Sequence, residues 1–299
     1  MKRLITFAVL LLAAIATFAG GQQEAELGTE ENPIVWALVP SGETQAILAG
    51  ADELVAMLEE QTGYVFEAIV AADYSGVIEA LSADPPSAHM AALNTFGAIL
   101  AAERGVAEVG LIAVRRGDPF YGGQFVVGAD SGIESIADLA GKTFARPDPN
   151  STSGWIVPSI VMRAGGVNPD TDLAEVVDAG GHSGVISAVY NGSADAGSSF
   201  VDARGTISED NADVNEKVLV LEEFGPIPND GIQFSTEMPE EMRAAITDAF
   251  LAIAETEEGV AAMESVYEWT DIVRQDDTFY DPFRQVLEAA GVDLSDYLD

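Results

Sequence analysis

Three consecutive hydroxyl residues, Ser151, Thr152 and Ser153, are the part of this 299-residue chain whose types and spacing most clearly suggest chemistry. They lie between a predicted strand over 142–146 and a predicted helix over 155–163. Ser and Thr are favoured at helix N-termini, where their oxygens accept hydrogen bonds from unpaired backbone amides. Those amides and the helix dipole attract anions, and three hydroxyls add donors without adding charge. The pattern predicts an oxyanion site, with an ordinary capped helix after a proline turn as the alternative.

Two further polar side chains stand at predicted helix starts. Tyr74 directly follows Asp73, a candidate cap, so its hydroxyl can reach a cleft; an ordinary aromatic at a helix end is the alternative. His182 follows Gly180 and Gly181 and precedes a helix. This position supports a binding role and a structural role about equally. The other histidine lies 93 positions away, with no carboxylate at ligand spacing, so a metal site is not expected.

The elements that must position these residues alternate between short apolar runs and amphipathic segments, which is typical of α/β structure. The first series of strands and helices is predicted at 33–40, 46–61, 64–70, 74–81, 89–93, 95–104 and 109–115. The pattern pauses at 118–123, and a second series follows at 124–128, 136–139, 141–145, 155–163, 174–178, 183–191, 194–200 and 218–222. Three C-terminal helices, at 240–256, 258–266 and 282–291, are expected to return to the first unit.

This order predicts two lobes, each a mainly parallel sheet flanked by helices. The chain is expected to cross between them near 116–123 and 223–230. Ligands of such sheets bind beyond the carboxyl ends of the strands, which places a site in the cleft between the lobes.

The N-terminus is typical of a secretory signal peptide. Lys2 and Arg3 precede an apolar run over 4–16, and small residues then lead to a cleavage site expected after Ala19. A lipoprotein signal would need a cysteine, and the chain contains none. We predict a signal peptide over 1–19, a flexible tether over 20–32, lobe 1 over 33–118 and 228–299, and lobe 2 over 119–227.

The net charge and the cysteine content exclude some classes of binding partner and of chemistry. Removal of Lys2 and Arg3 leaves 11 basic residues against 50 acidic ones, a net charge of −39, which argues against nucleic acid and anionic membranes as partners. The absence of cysteine excludes disulfides and thiol chemistry. An anionic ligand would approach through a repulsive field, so its site must be locally neutral or positive.

The chain resembles the periplasmic phosphonate-, phosphate- and phosphite-binding subunits of ABC importers over nearly all of its mature length. The most specific shared stretch is 148–154, which holds the three hydroxyls. The other matching segments are 72–81, 130–133, 138–142, His182, 192–197 and 226–230. One segment departs from the family pattern, since residues 93–97 read Leu-Asn-Thr-Phe-Gly where relatives often have a Trp-Phe-Gly-Pro-like sequence.

The resemblance implies a two-lobed periplasmic-binding-protein fold of type II and a set of ligand-binding residues. The positions that would hold the phospho group are Tyr74, Thr95, Ser151, Thr152, Ser153 and His182. Asp202 and Asp230 match acids that hold the ammonium of aminoalkylphosphonates in some members, although an isolated aspartate is usually a solvated surface group. Two carboxylates beside an anion site make sense only if the ligand also carries a cation.

We therefore expect an exported solute-binding protein that takes a 2-aminoethylphosphonate-like phosphonate and delivers it to a membrane permease. It would be a monomer and perform no chemistry, without cofactor or metal. Phosphate or phosphite binding by the same fold is the alternative ligand assignment, and docking to a sensor instead of a permease is not separable by sequence. A secreted phosphoester hydrolase is less well supported, because the chain lacks a Gly-x-Ser-x-Gly elbow and a P-loop.

Overall fold

The computed structural model describes residues 25–297. The predicted signal peptide and its cleavage site lie outside the described residues. The described end of the predicted tether, residues 25–32, forms a turn that is packed on the protein. In it the amide of Gly28 donates to the carbonyl of Asn32 (2.8 Å), and the carbonyl of Gly28 accepts from the amide of Val65 (2.9 Å). Residues 25–32 are therefore not a free tether.

The first sheet contains six strands in the order β11-β4-β10-β3-β1-β2. Their bounds are β1 Ile34–Leu38, β2 Phe66–Val70, β3 Met90–Ala92, β4 Ala107–Val114, β10 Gly231–Ser235 and β11 Asp271–Arg274. Strand β1 pairs in parallel with β2 and β3, whereas β10 is antiparallel to β3 and β4, and β11 is antiparallel to β4. The first three strands and β4 thus run in one direction.

Six helices flank this sheet. They are α1 Thr44–Thr62, α2 Tyr74–Ser82, α3 Thr95–Glu103, α7 Glu240–Ala254, α8 Glu257–Tyr267 and α9 Asp281–Ala289. Helix α1 buries Ile47, Leu54 and Leu58 along one stripe, as its helical spacing requires. Its C-terminal Gly63 has φ +74°, a left-handed conformation that glycine adopts without steric strain.

The C-terminal helices share the core of the first sheet, as the sequence predicts. Phe250 of α7 lies edge-on against Trp36 of β1, with ring centroids 5.8 Å apart. Met242, Ile246 and Phe283 are buried in the same cluster. Within residues 25–297, the first and the last strands therefore belong to one sheet, and the strands between them include those of the other.

The second sheet contains five strands in the order β7-β6-β8-β5-β9. Their bounds are β5 Phe120–Gly128, β6 Thr143–Arg146, β7 Glu175–Asp178, β8 Ala196–Phe200 and β9 Val218–Pro228. Its helices are α4 Val157–Ala164, α5 His182–Tyr190 and α6 Val214–Lys217, and a π-turn over Thr152–Ile156 runs directly into α4. Short 3-10 turns cover Ile136–Leu139, Ala203–Ile207, Asp277–Tyr280 and Leu294–Tyr297. One apolar cluster covers each face of this sheet.

The two crossings between the sheets are paired strands. Strands β5 and β9 run antiparallel from the pair Phe120–Pro228 to the pair Gly128–Val218, so the predicted crossing segments extend the strands predicted at 124–128 and 218–222. Within β5, Gly123 allows a close approach, because a Cβ there would meet the Phe224 ring at 2.1 Å. The predicted α/β fold with two sheets and flanking helices is confirmed. The sheets were expected to be mainly parallel, and each combines parallel with antiparallel pairs, because the strands that follow the crossings enter in the opposite direction.

Within residues 25–297, no helix is long and apolar enough to span a bilayer.

Replacement of Asp73 by alanine is expected to lower the free energy of unfolding by about 1 kcal/mol. The Asp73 Oδ1 accepts from the amide of Gly76 (2.8 Å) and caps the helix whose first residue is Tyr74. Glu79→Ala, an exposed acid on the same helix, is the matched control and should change stability by less than about 0.5 kcal/mol. Urea denaturation measures both; equal effects would show that the cap contributes nothing specific.

Candidate functional site

The three hydroxyl residues open the helical segment that follows β6. Ser151 is the capping residue, and its Oγ accepts from the amide of Gly154 (3.2 Å). Its carbonyl accepts from the amides of both Trp155 (2.9 Å) and Ile156 (3.0 Å), which makes this turn wider than an α-turn. The first amides of any helix have no partner within the helix, and here they lie beside the three hydroxyls. The local geometry is that of an anion-binding helix start.

Gly154 is required for this turn. A Cβ at this position would meet Pro147 Cδ at 2.2 Å and the Ser151 Oγ at 2.8 Å. The turn can therefore lie against the proline only if residue 154 has no side chain.

The hydroxyl residues face a cavity of about 930 Å³ between the two sheets. All three are buried. The cavity is also lined by Tyr74, Asn94, Arg115, Tyr121, His182 and Asp230. Six of the eight predicted site residues therefore line one cavity.

Thr152 connects residues on the two sides of the cavity. Its Oγ1 accepts from the Asn94 side-chain amide (2.8 Å) and from the backbone amide of Phe96 (2.9 Å). Asn94 also donates to the carbonyl of Asn150 (2.8 Å). With both acceptor positions of its oxygen used, the Thr152 hydroxyl proton is left to donate.

Further bonds close the same side of the cleft. The amide of Tyr74 donates to Asp148 (3.3 Å), and the Asn150 side chain donates to the Ser75 hydroxyl (2.8 Å). On the opposite side, the amide of His182 donates to the carbonyl of Ser41 (2.9 Å).

Two tyrosines flank the hydroxyl residues. The Tyr74 hydroxyl lies beside Ser151, and the Tyr121 hydroxyl lies beside Ser153 and Thr95. Burial, followed by the charge of Asp148, raises the pKa of Tyr74 well above its usual value. Burial likewise raises the pKa of Tyr121 to about 12. Both phenols are therefore neutral hydrogen-bonding groups at physiological pH.

His182 begins α5 and is neutral. Burial, helped by the nearby positive charge of Arg115, lowers its pKa to about 3. Its Nδ1 lies 2.8 Å from the Ser199 Oγ, and its ring meets Phe200 edge-on. A neutral imidazole adds no charge to the cavity but supplies one donor and one acceptor.

Thr95 lies behind the cavity wall. It is buried, its hydroxyl donates to the carbonyl of Pro228 (2.6 Å), and it is not one of the residues that line the cavity. Its contact with Tyr121 connects it to the hydroxyl residues.

The two acids that sequence reasoning assigned to an ammonium group are in different environments. Asp230 lines the cavity and forms a two-point ion pair with Arg115, with oxygen–nitrogen distances of 2.5 and 3.0 Å. Asp202 is exposed, pairs with Arg116 (2.7 Å) and is not among the residues that line the cavity. The structure therefore does not bring the two carboxylates together at one point.

Sequence reasoning missed Asn94, Tyr121 and Arg115. Asn94 stands in the segment that departs from the family pattern, and that departure was the available signal. Arg115 directly precedes the first crossing and Tyr121 lies within it, where a pause in the pattern gave no indication of side-chain contacts. Within residues 25–297, no group of three or more His, Cys, Asp or Glu side chains is placed to hold a metal ion.

The cleft is expected to open and close by bending of β5 and β9, with Gly122 and Gly123 as candidate hinge residues. Small-angle scattering with and without methylphosphonate should show a smaller radius of gyration for the bound protein. Identical radii would indicate a rigid, preformed site.

Comparison with known proteins gives the same assignment over most of the chain. The family model for the periplasmic substrate-binding protein of phosphonate ABC transporters matches residues 36–280. A phosphate-import protein of Mycolicibacterium smegmatis is 31% identical over 209 residues, which cover 66% of this chain and 64% of that protein.

Two solved structures share the fold. A binding protein component of an ABC phosphonate transporter from Pseudomonas aeruginosa superposes with a TM-score of 0.79 at 22% identity, covering 86% of each chain. A protein of Prochlorococcus marinus in complex with methylphosphonate superposes with a TM-score of 0.76 at 13% identity, covering 87% of this chain and 98% of that one. The resemblance noted in the sequence is thus confirmed: the chain belongs to the family of periplasmic phosphonate substrate-binding proteins of ABC transporters.

Proposed function

We propose that this protein captures a phosphonate or a related phosphorus oxyanion in the cleft and passes it to a membrane permease, without chemical change. It works outside the cytoplasm, at the cell envelope, as a monomer. The observation that carries the proposal is the set of buried hydroxyls of Ser151, Thr152 and Ser153, which line the cavity at a helix start.

The chemistry of this site suits a tetrahedral oxyanion. Hydroxyls and helix-start amides donate several convergent hydrogen bonds, and such bonds are stronger when the acceptor is charged. The surrounding phenols and the imidazole of His182 are neutral, so they can donate hydrogen bonds to the ligand without adding charge to the site.

The family and two relatives support the ligand class. The Mycolicibacterium smegmatis relative is named for phosphate import, and the Prochlorococcus marinus structure holds methylphosphonate. Both ligands present the tetrahedral phosphorus–oxygen group that the hydroxyl residues fit.

A ligand without an ammonium group is better supported than 2-aminoethylphosphonate. Asp230 is already paired with Arg115, and Asp202 lies outside the cavity. The zwitterion is the second candidate, because other carboxylates also line the cavity, namely Glu43, Asp118, Glu223, Glu264 and Glu268.

A thermal-shift panel of phosphate, phosphite, methylphosphonate and 2-aminoethylphosphonate, followed by calorimetry, tests the ligand class. A ligand at a thousandfold excess over Kd should stabilise the native state by about 4 kcal/mol. Sulfate is the control, and a panel in which no phosphorus compound raises the melting temperature would overturn the proposal.

The hydrolase alternative has a separate test. Incubation with p-nitrophenyl phosphate and divalent metals should release no p-nitrophenolate. Turnover would support a secreted phosphoester hydrolase instead. Binding of the ligand-loaded protein to a permease in detergent or nanodiscs would separate transport from delivery to a sensor.

A further inference from the structure

The Arg115–Asp230 pair occupies the part of the cavity wall next to the hydroxyl residues. The two groups make a two-point contact, and the Trp269 indole donates to the same Asp230 carboxylate (3.3 Å). The guanidinium lies 5.8 Å from the centre of the Tyr121 ring. Tyr121 in turn lies beside Ser153 in the lining of the same cavity. One tyrosine ring thus separates the ion pair from the proposed phospho-binding residues, within reach of a ligand substituent.

Arg115 is held firmly in this position. Its Nε donates to the carbonyl of Tyr267 (2.9 Å), and its Nη1 donates to Asn229 (2.5 Å) as well as to Asp230. Together with the bond from Nη2, these contacts use four of the five N–H donors of the side chain. A guanidinium fixed by several planar contacts is not readily displaced by a small, strongly hydrated ammonium ion.

We propose that Arg115 determines the specificity of this cleft by acting as a built-in cation. Its guanidinium takes the place beside Asp230 that a ligand ammonium would otherwise occupy, so the cleft selects phosphorus oxyanions that carry no positive group. This inference rests on the proposed function and adds which member of the ligand class is preferred.

The expected preference follows from the charges around the half-buried Asp230 carboxylate. In the wild-type protein the Asp230 carboxylate is neutralised, and a ligand ammonium placed nearby meets the positive guanidinium and loses hydration without gaining a free partner. Without Arg115 the carboxylate has no cation, and a ligand that brings one is favoured because an unpaired charge in such a site is unfavourable.

The test compares ethylphosphonate with 2-aminoethylphosphonate, which differ by the amine, using calorimetry. The wild-type protein should bind ethylphosphonate at least as tightly as 2-aminoethylphosphonate. Arg115→Met keeps most of the side-chain length and removes the charge, and it should shift the affinity ratio at least tenfold towards 2-aminoethylphosphonate. The double variant Arg115→Met, Asp230→Asn removes the carboxylate as well and should return the ratio towards the wild-type value.

Arg116→Met is the matched control. Arg116 also lines the cavity, but its carboxylate partner Asp202 lies outside it, so this variant should leave the ratio within about twofold of wild type. Arg115→Lys, which keeps the charge, should retain the wild-type preference.

The outcomes are distinguishable. If the wild-type protein binds 2-aminoethylphosphonate tenfold more tightly than ethylphosphonate, the inference is wrong. This measurement uses only the wild-type protein, so it does not depend on whether a variant folds. An unchanged ratio in folded Arg115→Met also overturns it, while the proposed function stands. If the wild-type protein binds neither phosphonate, nor phosphate or phosphite, the proposed function fails and this inference fails with it.

Discussion

Replacement of Thr152 by valine is expected to weaken phosphonate binding by at least about tenfold while the protein stays folded. A hydrogen bond to a charged group contributes about 1.5–3 kcal/mol, and valine removes the hydroxyl without changing the shape of the side chain. The same change removes the acceptor of the Phe96 backbone amide and one of the two acceptors of the Asn94 side-chain amide. Both effects lower the affinity, because the Thr152 Oγ1 accepts the bonds that hold the cleft closed and also donates to the ligand. Calorimetry with methylphosphonate measures the loss.

Two further variants separate direct contact from cleft closure. Asn94→Ala removes a bond across the cleft but leaves the Thr152 hydroxyl, so its loss should be smaller than that of Thr152→Val. Thr206→Val is the control, since the Thr206 hydroxyl lines the cavity but donates to the neighbouring carbonyl of Ala203 (2.7 Å). Its affinity should stay within about twofold of wild type. Wild-type affinity in Thr152→Val would remove this residue from the site.

The two sheets and their flanking helices could be predicted from the sequence because periodicity reports which faces of a segment are buried. Helix α1 follows the predicted helix closely, and the C-terminal helices return to the first core as expected. Strands β10 and β11 are not among the predicted strands. Both pair in antiparallel fashion with β4, which lies far away along the chain, and the periodicity of a segment does not report such a partner.

The hydroxyl residues could be predicted because their chemistry is local. Their position depends only on a cap, a turn and the helix that follows. The roles of Asn94 and Tyr121 could not be predicted in this way, because they arise where residues from both sides of the cleft meet. Asp202 and Asp230 illustrate the same limit. Both follow strands, but Asp202 forms an exposed ion pair and Asp230 forms an ion pair in the cavity wall. Which cation each carboxylate meets is decided by tertiary structure.

The excess of acidic residues is compatible with an anion site because the side chains of the proposed phospho-binding residues are uncharged. The groups that face the ligand there are hydroxyls, phenols and an uncharged imidazole. The cavity cations Arg115 and Arg116 are each already paired with a carboxylate. The long-range field of the protein, which salt screens, therefore affects how fast an anion arrives more than how well the hydroxyl residues hold it.

The second large effect is expected at acidic pH and concerns His182. In the native protein burial and the charge of Arg115 lower its pKa to about 3, whereas the unfolded chain has the ordinary value of 6.5. Between these values the unfolded chain binds the proton and the native protein does not, so the free energy of unfolding falls as the pH is lowered. The slope is about 1.4 kcal/mol per pH unit, which amounts to about 2 kcal/mol between pH 6.5 and pH 5.

His182→Gln removes this contribution and keeps a polar side chain beside Ser199. Urea denaturation of the ligand-free proteins at pH 7 and pH 5 should show wild type losing about 2 kcal/mol more than the variant over this interval. His89→Gln is the comparison: burial also lowers the pKa of His89, but this side chain is only half-buried and accepts from the amide of Val35 (3.0 Å), so a smaller difference is expected. Parallel pH dependence of wild type and His182→Gln would mean that His182 titrates normally in the native state. The imidazole would then carry a positive charge near pH 6, and the proposed phospho-binding site would be positive instead of neutral.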